Sequence, residues 1–296
     1  MSSFRDGRFL SLSSLDLAGK SLEELKALLR QYLNNGVHGF CSSPYLEGQE
    51  PGDQLSEDQI RRRLEVLKPY TQWIRSFSTT DGNELIPKIA HEMGIKTMVG
   101  AWLGDDPEIN KKEIANLIDL ANGGFVDIAA VGNEVMYRGD LTEDELLQFL
   151  YEVKDKVTTD VPIGYVDAYY EFAKRPAITE ACDIILANCY PYWEGCPQEH
   201  SLLYMKEMFR KAQYAGNGKR VIITETGWPS QGTSLGGSVP SIENAIRYFI
   251  NAQHWSKEEG IEMFYFSSFD ESWKVGDEGD VGAYWGIWDK DEVLKF

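Results

Sequence analysis

Apolar positions along this chain recur at helical spacing in one stretch and as short unbroken runs in the next, and the alternation continues almost to the end. Ser21 and Glu24 make a capping box around Leu22, Leu25, Leu28, Leu29, Tyr32 and Leu33, which predicts an amphipathic helix over 21–33. Gly36 then precedes a run that predicts a strand over 37–43, and Pro44-Tyr45 places Tyr45 at its exit. A second capping box, Ser56 with Gln59, leads Ile60, Leu64 and Leu67. A strand over 73–77, a helix over 85–93 and a strand over 96–101 follow. Asp106-Pro107 opens a helix through Leu120, because proline just inside a helix start marks a boundary.

The next apolar run, 125–131, ends at Asn133-Glu134, and Thr142 with Glu145 caps a helix whose Leu146, Leu147, Phe149, Leu150, Val153 and Val157 face inward. A short strand at 162–166 precedes a weakly amphipathic stretch over 168–181. The strand over 183–188 leaves through Cys189-Tyr190-Pro191-Tyr192-Trp193. Ser201 starts a helix, 220–224 reads as a strand, and Ser241 begins a helix through Trp255. The last run, 263–269, gives way to Asp270-Glu271-Ser272-Trp273-Lys274.

Eight short strands, each but the last followed by a substantial helix, imply an α/β fold: a single (β/α)8 TIM barrel over 1–296. Little chain remains after Trp288 for an eighth helix. The helix at 21–33, part of an N-terminal extension over 1–36, is expected to stand in for it, since closure sets the element before strand one beside strand eight. Catalytic groups in this fold sit at the carboxyl ends of strands. Tyr45, Trp102, Glu134, Tyr190, Glu225 and Glu271 fall there.

Two of those ends share a grammar. Ile222-Ile223-Thr224-Glu225 and Ile128-Ala129-Ala130-Val131-Gly132-Asn133-Glu134 each deliver a glutamate from an apolar run. Either alone reads as a salt-bridged carboxylate at a strand end, since a buried charge is costly unless it pairs, hydrogen-bonds or does chemistry. Together they read as the carboxylates of glycosidic cleavage, one to protonate the leaving oxygen and one to attack or to activate water. A separation of about 5 Å means covalent double displacement, and a wider one direct attack by water. Asn133 is placed to hydrogen-bond a sugar 2-hydroxyl, and Tyr190 to donate to Glu225 and hold it ionised, which makes Glu225 the nucleophile and Glu134 the acid/base. Chemistry alone allows the reverse assignment. Tyr45, Trp102, Tyr192, Trp193, Trp228 and Trp273 stand at strand exits, where each fits core packing or a loop plug as well as a sugar platform; as a set they favour a carbohydrate groove. Glu271 and Lys274 read as a salt bridge bracing the eighth loop, a role compatible with contact to sugar hydroxyls.

Composition narrows the partners. The 296 residues are 43% hydrophobic, ample for one large core. The 47 acidic against 29 basic residues give a net charge of -18, which argues against nucleic acid and anionic membrane partners, while a neutral glucan is indifferent to that field. No stretch nears the ~18 continuous apolar residues of a membrane span. Met1-Ser2-Ser3-Phe4-Arg5 opens no signal peptide, so the expected protein is soluble, either cytoplasmic or periplasmic or secreted with a leader removed. Cys41, Cys182, Cys189 and Cys196 form no CxxC pair; buried free thiols are expected, with Cys189 and Cys196 the pairing to check. Cysteines and histidines never cluster at ligand spacing, so no metal and no cofactor is expected. A monomer is expected.

At these residues the chain resembles glycoside hydrolase family 17, the β-1,3-glucanases and related glucanosyltransferases of a large retaining clan of (β/α)8 barrels. Val131-Gly132-Asn133-Glu134 and the more specific Ile223-Thr224-Glu225-Thr226-Gly227-Trp228-Pro229-Ser230 carry the resemblance. Ser43-Pro44-Tyr45, Arg75-Ser76-Phe77, Asn188-Cys189-Tyr190-Pro191-Tyr192 and Phe269-Asp270-Glu271-Ser272-Trp273-Lys274 support it, together spanning about 37–289. It implies that Glu134 is the general acid/base and Glu225 the nucleophile, reacting with retention through a glycosyl-enzyme. It also implies that Glu271 and Lys274 match a glutamate and lysine kept near the acid/base, within its hydrogen-bond network. Plant members carry a further acidic residue at a slightly longer spacing, for which Glu278 is the nearest counterpart. The Phe-Asp-Glu-Ser-Trp-Lys form is closer to bacterial and fungal members, a subgroup containing hydrolases and transglycosylases. The expected function is endo-hydrolysis of laminarin-type β-1,3-glucan; the rivals are a β-1,3-glucanosyltransferase, a mixed-linkage glucanase and a catalytically silent glucan-binding barrel.

Overall fold

The computed structural model describes residues 15–276 and 278–296. The opening Met1-Ser2-Ser3-Phe4-Arg5 and the first part of the extension assigned to 1–36 lie outside the described residues. The apolar runs become β1 (Val37–Cys41), β2 (Thr71–Ser76), β3 (Lys96–Ala101), β4 (Ile128–Asn133), β5 (Ile163–Ala168), β6 (Ile184–Asn188), β7 (Val221–Thr226) and β8 (Met263–Tyr265). Each pairs in parallel with the next in sequence and β8 pairs with β1, closing the barrel. Strands covered on both faces carry continuous apolar runs rather than alternation. In β6, accordingly, every residue is buried.

The capping boxes at Ser21, Ser56 and Thr142 all form, opening α1 (Leu22–Asn34), α2 (Glu57–Leu67) and, further along, Glu143–Lys156. Between them lie α3 (Leu85–Glu92), α4 (Pro107–Asn122), which starts on the Asp106 cap, and the short α5 (Val135–Arg138) directly after Glu134. Glu143–Lys156 is therefore α6. The weakly amphipathic stretch is two short helices, α7 (Glu171–Lys174) and α8 (Pro176–Ala181), split where Pro176 cannot continue a helical ladder. The helix expected from Ser201 starts earlier, as α9 (Gln198–Gly216), because the Ser201 hydroxyl donates to the Gln198 carbonyl instead of capping. The last long helix is α10 (Ile242–Glu259).

The expectation about the missing eighth helix holds. After β8 the described chain makes the 3-10 turns Ser272–Val275 and Gly279–Tyr284, while α1 packs beside α10 through Tyr32 Oη and His254 Nδ1 at 3.0 Å. Arg30 Nε also donates to the Phe296 carbonyl at 2.9 Å, tying α1 to the chain's end. The run 263–269 is a strand only to Tyr265, because its later amides take a loop partner and the end of β1: Ser267 N donates to Trp285 O and Ser268 N to Cys41 O.

All four cysteines are free thiols, so Cys189 and Cys196 do not pair. Among the described residues no helix is long and apolar enough to cross a membrane.

Candidate active site

The barrel strands that end in glutamate are both irregular just before it. On β4, Ala130 faces Gly164 but Asn133 faces Val166, so one extra residue is accommodated; on β7 the partners of Ala187 and Asn188 are Ile223 and Glu225, which again leaves one residue over. Bulges of this kind turn a side chain out of its regular direction. In the first, Gly132 takes φ +84, and a Cβ there would come within 2.9 Å of the Val135 side chain. Glu134 follows with φ +52 and ψ +27, a left-handed conformation uncommon outside glycine.

The two side chains meet at one amide. Asn188 Nδ2, at the end of β6, donates to Glu134 Oε1 at 2.8 Å and to Glu225 Oε1 at 3.0 Å. Those two oxygens are therefore no further apart than the sum of these contacts, about 6 Å, which suits the close carboxylate spacing of double displacement. Thr224 Oγ1 donates to Asn188 Oδ1 at 2.7 Å and so fixes which end of the amide faces the glutamates.

Glu225 accepts three side-chain hydrogen bonds, one of them the Asn188 bond. Arg75 Nη1 donates to its Oε1 at 2.5 Å and Tyr190 Oη to its Oε2 at 2.8 Å. The other arm of Arg75, Nη2, donates to Asn133 Oδ1 at 2.6 Å, so one guanidinium ties β2, β4 and β7 together beneath the cleft. Burial opposes the Arg75 charge, but the Glu225 carboxylate and the Cys41 thiol outweigh it and the net shift is upward. Among the described residues no cation forms an ion pair with Glu134. Burial pushes its carboxyl up to about 7, the Glu225 charge adds to this, and the Asn188 amide and, slightly, the Arg138 charge pull the other way. One carboxylate is thus clamped by a guanidinium and a phenol, and its neighbour is poised to hold a proton near neutrality.

Glu271 and Lys274 form a buried ion pair at 2.9 Å, and Trp273 Nε1 donates to Glu271 Oε1 at 3.2 Å. Burial opposes the Lys274 charge, while Glu271, Glu278 and Glu225 raise it, and the net shift is upward. The Glu278 carboxyl is pushed up to about 7 by burial against the pull of Lys274, and its Oε2 has no hydrogen-bond partner among the described residues.

The aromatic residues separate into two groups. Trp102 and Trp193 are each 39% exposed, Trp102 with the Arg138 guanidinium 4.5 Å over its ring, and the half-buried Trp273 meets the Tyr45 ring edge-on at 6.0 Å. Tyr45 is buried and its hydroxyl accepts from Asn83 Nδ2 at 3.2 Å. Tyr192 and Trp228 are not platforms. They are 0% and 1% exposed, pack edge-on against each other, and give their polar atoms to backbone carbonyls, Tyr192 Oη to Thr233 and Trp228 Nε1 to Val239. A strand exit sets where a residue leaves the barrel, and the loop folding back over it decides whether its face stays open. Trp228→Ala is accordingly expected to cost about 3–5 kcal/mol of stability, read as a lower denaturant midpoint with unchanged slope. A loss under about 1 kcal/mol would contradict the buried placement.

Three contributors are not singled out by the sequence. Thr224 stands there only inside the Ile223–Ser230 motif with no role of its own, and Arg138, which donates to the carbonyls of Asn133 and Leu103, ends α5 outside any motif. Asp167 obeys the same grammar as the glutamates, a carboxylate at a strand exit, but it falls one residue beyond the strand predicted over 162–166.

Comparison with known proteins places these residues in context. The family model described as the BtgE/BtgC glycoside hydrolase domain matches residues 39–286. Glucan 1,3-beta-glucosidase BGL2 of Candida albicans is 31% identical, covering 79% of this chain and 83% of its own. The glucan 1,3-beta-glucosidase of Schizosaccharomyces pombe is 30% identical over 97% of this chain and 95% of its own. Among solved structures, the glycoside hydrolase family 17 beta-1,3-glucanosyltransferase from Rhizomucor miehei aligns with a TM-score of 0.79 at 28% identity, over 88% of this chain and 96% of that one.

Proposed function

Because this chain belongs to the BtgE/BtgC glycoside hydrolase family, we propose that its barrel is a single catalytic unit that cleaves internal β-1,3-glucosidic bonds of laminarin-type glucan with retention of configuration. Glu225 attacks the anomeric carbon while Glu134 gives its proton to the departing glycosidic oxygen, and an ester between glucan and Glu225 forms as the C–O bond breaks. Glu134, now ionised, takes a proton from water, whose oxygen enters from the face the leaving oxygen departed from, opposite Glu225, and breaks the ester bond. The observation that carries this reading is the single Asn188 amide bonded to both carboxylates. Arg75 and Tyr190 hold the Glu225 carboxylate in place for attack, Asn133 offers its amide nitrogen to the sugar 2-hydroxyl, and the exposed Trp102 and Trp193 with the half-buried Trp273 offer rings for sugar stacking.

A second reading has its own support. The Rhizomucor miehei enzyme, 28% identical, is a beta-1,3-glucanosyltransferase. A sugar hydroxyl instead of water then resolves the same ester. Incubation with a defined laminari-oligosaccharide series separates the readings: shorter products alone mean hydrolysis, and a majority of products longer than the substrate means transfer. No turnover of any β-1,3-glucan would leave a binding barrel and overturn both.

The acid must carry its proton when the bond breaks. With its carboxyl pushed up to about 7, Glu134 is protonated below that pH and ionised above it, so kcat/KM is expected to fall about tenfold per unit above pH 7. A basic limb near the ordinary glutamate range, about pH 4–5, would contradict this assignment.

A further inference from the structure

Glu134 leaves β4 in a left-handed conformation that a glutamate does not hold unaided, and β5 grips the chain on both sides of it. Before the side chain, Glu134 N donates to Val166 O at 2.8 Å. After it, Met136 N donates to the Tyr165 hydroxyl at 2.8 Å and Tyr137 N to Asp167 Oδ2 at 3.3 Å. The Tyr165 hydroxyl passes its own proton to Asp167 Oδ2, and Ala168 N donates to Asp167 Oδ1 at 2.7 Å. Tyr165 and Asp167 lie two apart on one strand, so both point to the same face, and they are 1% and 0% exposed. A fully buried carboxylate that meets no cation among these contacts, and whose acceptor capacity serves a turn of backbone, is an expensive arrangement to keep for stability alone.

We infer that Tyr165 and Asp167 are positioning residues for the acid/base: by accepting the amides of Met136 and Tyr137, two and three residues after Glu134, they hold its left-handed turn and aim its carboxyl at the glycosidic oxygen. Neither reaches the substrate. The inference rests on Glu134 being the acid/base. On this footing position 134 itself needs no glycine, because the neighbouring strand supplies the restraint.

A displaced acid harms departure of poor leaving groups and spares good ones, which need no proton. The test compares laminari-oligosaccharides with a 2,4-dinitrophenyl β-laminaribioside, each measured on one preparation of Tyr165→Phe, Asp167→Asn and Glu134→Gln, so that the active fraction cancels in the ratio. Tyr165→Phe keeps the ring against Phe172, where it now sits at 6.3 Å, and is the variant least prone to misfold. For Tyr165→Phe and Asp167→Asn the expected result is a loss of about tenfold or more on the oligosaccharide, with less than about threefold on the rate of dinitrophenolate release in the first turnover. Equal losses on both substrates while Glu134→Gln discriminates between them would overturn the inference and leave the acid/base assignment standing. If Glu134→Gln itself fails to discriminate, the assignment falls and this inference with it.

Discussion

Glu225→Gln is expected to lose activity on laminari-oligosaccharides by at least about 10⁵-fold, the scale that follows removal of a covalent nucleophile. An amide cannot form the glycosyl ester. The substitution is also more than a chemical deletion, because Glu225 is the counter-ion of a guanidinium only 2% exposed, and Arg75 would be left buried with no carboxylate at 2.5 Å. Breaking one side of such a pair costs about 3–5 kcal/mol, so the variant should be measured below its own unfolding midpoint. Glu225→Ala with added azide discriminates chemistry from misfolding: the small anion occupies the vacated side and yields α-glycosyl azide. Residual turnover within about tenfold of the parent enzyme would remove Glu225 from the role of nucleophile.

Glu134→Gln gives the second large effect, of a different kind. Loss of a general acid is expected to slow cleavage of the natural glucan by about 10²–10⁴-fold while formation of the glycosyl-enzyme from a dinitrophenyl glycoside is nearly spared. The following hydrolysis still lacks its base, so such a substrate shows a burst and then a slow phase, which azide accelerates by giving β-glycosyl azide. The two variants thus yield azides of opposite configuration, which assigns each carboxylate without reference to the other. A β-azide from the Glu225 variant would reverse the roles. Their surroundings argue for the stated order. Glu225 meets a guanidinium and a phenol, whereas burial and a like charge push Glu134 up to about 7.

Most of the barrel is legible in the sequence because each element carries two agreeing signals, a cap or a turn residue and a hydrophobic period. The boxes at Ser21, Ser56 and Thr142 form as expected. β8 is shorter than its aromatic run because hydrophobicity marks burial and is silent about which carbonyl an amide will choose; Ser267 and Ser268 choose loop and β1 partners. The glutamates stand out in the sequence since a carboxylate that closes a buried run is costly unless it pairs or does chemistry. Trp228 and Tyr192 could not be distinguished from Trp102 by pattern, because all follow strands and only the loop packed over the first two separates core from cleft. The bulges before Glu134 and Glu225 leave no local signature apart from Gly132, since an extra residue on one strand is defined only against its neighbour.

On the proposed mechanism, two carboxylates bonded to one amide act in succession on a single anomeric carbon. That succession is decided by the proton NMR spectrum of a laminari-oligosaccharide digest, recorded before mutarotation has equilibrated the new reducing ends. Double displacement predicts that the first-formed product is the β-anomer, with α appearing later at the spontaneous rate. An α-anomer at the earliest time points would mean direct displacement by water, and would rule out the glycosyl-enzyme on Glu225.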